Sequence, residues 1–142
     1  MASINKDCRC VRRCMHAANT ASITVEGVPH VATRKNKGST NRWDRAKAVR
    51  GAREHAWALW REQELPPEPF PKASISITQY YCGRPLDFDG LASGAAPYVD
   101  GAIDAGLIED DEPNKNIVSY SLSHVRVSHL DERQVTVTIT EA

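Results

Sequence analysis

Residues 73–82, ASISITQYYC, alternate without a break: Ala73, Ile75, Ile77, Gln79 and Tyr81 on one side, Ser74, Ser76, Thr78 and Tyr80 on the other. Successive side chains of a strand point to opposite faces, so this period of two predicts a strand buried on one face and wet on the other. Such a strand needs neighbours in a sheet and a helical layer over its apolar face. The flanking segments supply both. Upstream, Trp43, Ala46, Val49, Arg53, Ala56, Trp57 and Trp60 recur at helical spacing, which predicts a helix from the N-cap residues Thr40 or Asn41 to about Glu64. We read its tryptophans as core, with Arg45, Lys47, Arg50 and Arg61 on or beside the opposite face. The run Leu65-Pro-Pro-Glu-Pro-Phe-Pro71 ends that helix as a stiff connector.

Downstream, Leu91, Ala95, Tyr98, Val99, Ala102, Ile103 and Leu107 predict helix over most of 90–105, with Gly106 as its C-terminal cap. Pro97 either kinks this helix or starts its regular part, leaving Gly90–Gly94 as loop. Alternation returns over 117–127, with Val118, Tyr120 and Leu122 on one face. It returns again over 133–140, with Val135, Val137 and Ile139 set against Thr136, Thr138 and Thr140. His129–Glu132 supplies a turn, so these two segments are expected to form an antiparallel hairpin. Ile23-Thr-Val25 adds a short strand that stops at Gly27 and Pro29. The order predicts an α+β domain of two layers, a small mixed or antiparallel sheet of about four strands with two main helices on one face. Residues 22–142 are expected to form this single domain, and residues 1–21 a flexible basic N-terminal extension.

A length of 142 residues and an apolar content of 41% suit one core. No apolar run approaches the ~18 residues of a membrane span, and the start of the chain lacks a secretory apolar region. A cytoplasmic protein with no membrane partner is expected. Cys8, Cys10 and Cys14 are crowded near His16, with Cys82 far away. Their spacing departs from the paired C-x2-4-C of zinc sites, so free thiols on the extension are expected. The net charge of +0 conceals an asymmetry. Residues 1–64 carry thirteen Lys/Arg against six Asp/Glu, and residues 65–142 carry five against twelve. A basic half beside an acidic half suits an enzyme of nucleic acids, with cations on phosphates and carboxylates on a metal.

The acids gather in Arg84–Pro113. Asp87-Phe88-Asp89 opens this stretch and Glu109-Asp110-Asp111-Glu112 closes it. In an extended segment residues i and i+2 project together, so Asp87 and Asp89 are expected to share a cation, with a third carboxylate arriving from the far end of the helix. A hard divalent ion such as Mg²⁺ takes oxygen ligands of this kind. The polar, basic stretch 33–42, TRKNKGSTNR, reads as a loop; with the helix after it, it offers Arg34, Lys35, Lys37, Arg42, Arg45 and Arg50 for phosphate contacts.

The run DFDGLASGAAPYVDGAIDAGLIEDDEP resembles the central motif of the RusA family of Holliday-junction resolvases, especially its phage-encoded members. Asp87 and Asp89 match the family's paired aspartates; Asp100, Ala105 and Gly106 match its helix; Asp110-Asp111 match its closing pair. The resemblance covers 73–140 and extends loosely to Asn41-Arg42-Trp43. It implies an endodeoxyribonuclease of DNA recombination and repair. That enzyme is a homodimer that nicks four-way junctions with Mg²⁺, Mn²⁺ able to substitute. The implied catalytic ligands are Asp87, Asp89 and Asp111, with Asp111 ranked ahead of Asp110. Two positions depart from the pattern: Gly90 replaces an Asn, and Ala96 replaces a Lys that assists at the phosphate. Arg84 is the nearest cation in sequence to stand in for that Lys, ahead of Lys72 and Lys115, and it joins the expected DNA contacts. Two readings stay open, a junction-cleaving enzyme and a junction-binding protein of the same fold that cuts slowly or not at all.

Overall fold

In the computed structural model, four strands and two helices build the predicted two-layer α+β domain. The structure describes residues 19–29 and 42–142. The extension as far as residue 18 and the basic loop with Arg34, Lys35 and Lys37 lie outside the described residues. The elements are β1 (Thr20–Glu26), α1 (Arg42–Arg61), β2 (Ala73–Tyr81), α2 (Phe88–Ala105), β3 (Ile117–Arg126) and β4 (Gln134–Glu141). No helix among the described residues is long and apolar enough to cross a membrane. Strand β1 starts earlier than expected: Thr20 and Ala21 pair with Thr140 and Ile139, and Ala21 is buried, so the extension ends before residue 20.

The sheet order is β1-β4-β2-β3. Strand β4 runs antiparallel to both of its neighbours, and β3 runs parallel to β2. The expected β3–β4 hairpin is therefore absent, because β2 lies between the two strands. The physical reason is the crossover β2–α2–β3, which sets β3 parallel against one edge of β2 and leaves β4 the other edge. Stepping across β2 means covering about twice the ~4.8 Å strand spacing. Residues 127–133 make that crossing, tied to the end of β2 by the Val127 N–H donating to the Tyr81 carbonyl at 2.7 Å.

The inner face of the sheet carries Ile75, Ile77, Val135, Val137, Ile139 and Ile23, all buried under the helices with Leu91, Val99 and Trp60. The outer face carries hydroxyls that bond across strands, Ser22 to Thr138 at 2.7 Å and Thr78 to Ser123 at 2.9 Å. Pro97 lies buried inside a helix that runs from Phe88, so 90–94 is helical and is no loop. Gly106, at φ 88°, ends α2, and the Leu107 N–H closes back on the Ala102 carbonyl at 3.0 Å.

The tryptophan stripe of α1 divides. Trp60 is fully buried and its indole N–H donates to the Tyr98 carbonyl at 2.9 Å. Trp43 is 72% exposed and Trp57 44% exposed, contrary to the expectation that all three are core. Only Ala56 and Trp60 of this helix are buried, so its packing partner reaches the C-terminal part alone. There the helices approach closely: a Cβ on Gly101 would sit 2.9 Å from both Ala56 Cβ and Trp57 N.

Candidate metal and nucleic-acid site

The N-terminus of α2 is fixed from the sheet. Gln79 and His124 are register partners on β2 and β3 and share the inner face. Gln79 Oε1 accepts the Leu86 N–H at 3.0 Å, and His124 Nε2 donates to the Leu86 carbonyl at 2.8 Å. Leu86 is thus clamped at both backbone groups just before the acidic pair. The His124 ring also lies 5.2 Å from that of Phe88.

Asp87 is the N-cap of α2, with Oδ1 accepting the Gly90 N–H at 2.6 Å. Asp89 lies in the first turn of the helix. The extended geometry expected for this pair is absent, because the chain turns helical at Phe88 and helical residues two apart diverge. Asp87 faces a concavity of about 600 Å³ beside Arg84. Asp89 faces a separate groove of about 300 Å³ between the helices, lined also by Arg45, Val49, Ser93, Ala96 and Asp100. Arg45 was expected on or beside the solvent face of α1. It lies instead on the α2-facing side, one turn before Val49.

Asp100, matched from the sequence only to the family's helix pattern, lines the same groove as Asp89. Asp89, Ser93, Ala96 and Asp100 stand at i, i+4, i+7 and i+11 of one helix, a single stripe, and this signal was available in the spacing. Burial holds the Asp100 carboxyl above the usual carboxylate range; Arg53 opposes this, and the negative charge of Asp111 adds to it. The Tyr120 phenol is likewise pushed up, first by burial and then by Asp111 and Asp100. The charge of Asp111 thus contributes to both shifts, second to burial at Tyr120 and behind burial and Arg53 at Asp100. Asp110 Oδ1 accepts the Asp111 N–H at 2.8 Å.

Arg53 joins the two helices beside the groove. It donates to Asp104 through Nε at 2.5 Å and Nη2 at 2.8 Å, and its Nη1 lies 4.0 Å from Asp100. These bonds pull the Asp104 carboxyl below its ordinary value. The structure therefore brings together Asp89, Asp100 and Arg45 around one groove, and Asp111 does not line it. Asp87 and Arg84 lie at the adjoining concavity, and Arg42 and Arg50 lie on exposed positions of α1. Among the described residues no three His, Cys, Asp or Glu side chains are close enough to hold a metal ion as a ready cluster.

The fold defines the class as a small α+β domain. No family model matches the chain, and no curated protein matches it.

Proposed function

We propose that this protein is a Mg²⁺-dependent, structure-selective endonuclease that resolves four-way DNA junctions as a homodimer in a cytoplasm. The RusA-like motif suggests the reaction. The observation that carries it is the groove in which Arg45 faces the helix stripe of Asp89, Ala96 and Asp100. A phosphodiester needs a cation beside its oxygens and carboxylates for a metal, and this groove offers both within one concavity.

The donor set fits the ion. Mg²⁺ is commonly held by one or two carboxylates, several waters and phosphate oxygens, so a ready cluster of three side chains is no requirement. Asp89 and Asp100 on one face are hard donors of that type, and Asp111 is the further ligand that the resemblance implies. The raised Asp100 carboxyl reflects burial and crowding of negative charge that a cation would relieve. When bound, Mg²⁺ neutralises charge on the phosphate and makes a nucleophile available from water near neutral pH. Arg45 supplies the positive charge that the family places at position 96, from the opposite wall of the groove, and Ala96 leaves it room. Asp87 caps and orients the helix on which Asp89 and Asp100 stand. Its second role as a ligand, with Asp89 and Asp111, is what the resemblance implies.

A second reading is a protein that binds junctions without cutting. The separation of Asp87 from Asp89 into two concavities favours it. A labelled synthetic four-way junction incubated with Mg²⁺, beside an Asp89→Asn control, separates the two. Cleavage that the substitution abolishes supports the enzyme; shifted but uncut DNA supports the binding protein.

A further inference from the structure

The outer flank of α1 carries a stripe that the groove does not use. Trp43, Lys47, Arg50, Glu54, Trp57 and Arg61 fall at i, i+4, i+7, i+11, i+14 and i+18, so they line one flank of the helix, and all six are exposed. A tryptophan at 72% exposure is unusual, since the indole is the largest apolar surface a residue can offer to water. Each exposed indole also has a guanidinium against it. Arg42 Cζ lies 4.9 Å from the Trp43 ring centroid, and Arg61 Cζ lies 6.0 Å from that of Trp57. The whole helix carries six Lys/Arg against two Asp/Glu. Exposed aromatic faces set among cations along a straight element are what successive bases and phosphates of an unpaired strand require.

We propose that this flank of α1 binds a single-stranded segment of nucleic acid, with bases stacked on Trp43 and Trp57 and phosphates held by Lys47, Arg50 and Arg61. The two rings are fourteen residues apart, about 21 Å at the helical rise, which matches roughly six stacked nucleotides at ~3.4 Å each. A paired duplex offers its phosphates to such a stripe but keeps its base faces inside the stack, so the tryptophans select the unpaired strand. The proposal rests on the DNA reading and deepens it by naming unpaired bases as the ligand.

The test uses the full chain, no junction and no Mg²⁺, so cleavage plays no part in it. Fluorescence anisotropy follows a labelled oligothymidylate of about twenty nucleotides, with a duplex of equal length as competitor. The wild-type protein is expected to bind the oligothymidylate more tightly than the duplex. Trp43→Ala with Trp57→Ala is expected to weaken binding at least about tenfold without altering its salt dependence. Trp43→Phe with Trp57→Phe should restore most of the affinity, because a phenyl ring still stacks. Lys47→Ala with Arg50→Ala is expected to flatten the salt dependence instead. Both indoles are exposed, so circular dichroism of the variants should match wild type. The proposal is overturned by equal affinity for duplex and single strand, or by Ala variants that bind as wild type does. It is equally overturned if the tryptophans prove to be needed for self-association and no oligothymidylate binds. Junction cleavage that persists alongside such a result leaves the nuclease reading standing and removes only this surface.

Discussion

Two helical glycines, Gly51 and Gly101, should respond to the same substitution with opposite sign. A Cβ on Gly101 would lie 2.9 Å from Ala56 Cβ, 2.9 Å from Trp57 N and 3.0 Å from Arg53 O. Two of these are backbone atoms of α1, so no side chain can swing aside and the helices must separate. Overpacking of this kind costs about 1–3 kcal/mol, offset by the ~0.8–1 kcal/mol by which alanine outranks glycine in a helix. Gly101→Ala is therefore expected to destabilise by up to about 2 kcal/mol, lowering the midpoint of thermal unfolding by up to about 6 °C. Gly51 meets nothing within 4 Å, so Gly51→Ala keeps only the propensity gain and is expected to stabilise by about 0.5–1 kcal/mol. Urea and thermal unfolding followed by circular dichroism measure both, and an unchanged denaturant slope would show that the denatured state is unaltered. The separation between the two variants reports the close approach itself. If Gly101→Ala stabilised the protein as much as Gly51→Ala, α1 and α2 could not pack as closely as these distances require.

Other consequences can be measured in the same way. The Asp100 carboxyl is raised in the folded state, so its contribution to stability is fully present below its unfolded value and is lost as pH rises through its folded value. Asp100→Asn should thus stabilise the protein at neutral pH and lose that advantage in acid, as read from unfolding curves at several pH values; a gain independent of pH would refute the desolvation argument. Gln79→Leu leaves the Leu86 N–H without its partner and should cost about 1–3 kcal/mol, with faster amide exchange at Leu86. Trp60→Phe removes a buried donor to the Tyr98 carbonyl along with packing volume, at about 1–3 kcal/mol, whereas Trp43→Phe should change stability by less than about 0.5 kcal/mol.

The layers were legible in the residues because periodicity reports burial directly. Ala73 to Tyr81 alternate, and four of the five inner positions, Ala73 to Gln79, are fully buried. Strand order was not legible, since β3 and β4 carry the alternation of a hairpin whether or not another strand lies between them. Gln79 shows how a local irregularity carries meaning: a polar residue on an apolar face marked the clamp that holds the acidic loop. The tryptophans misled because a helical stripe states which side faces inward and says nothing of where the partner ends. Trp43 lies beyond the part of α1 that packs, and Trp57 falls on the flank of the contact. The acids were legible, but the extended geometry expected of Asp87 and Asp89 was not the one adopted. An extended reading joined Asp87 to Asp89, whereas the helix that starts at Phe88 joins Asp89 to Asp100 and carries Asp87 to the neighbouring concavity.

The central claim is that the groove carboxylates act in Mg²⁺-dependent cleavage of branched DNA. Single-turnover cleavage of a synthetic four-way junction tests it most directly, comparing Asp89→Asn, Asp100→Asn, Asp111→Asn and Asp110→Asn. The prediction is a loss of at least about a hundredfold for the first three, with junction binding retained, and a much smaller loss for Asp110→Asn, whose carboxylate bonds to its own chain. Cleavage unaffected by Asp89→Asn and Asp100→Asn, or a wild-type protein that binds the junction in Mg²⁺ and leaves it intact, would contradict it.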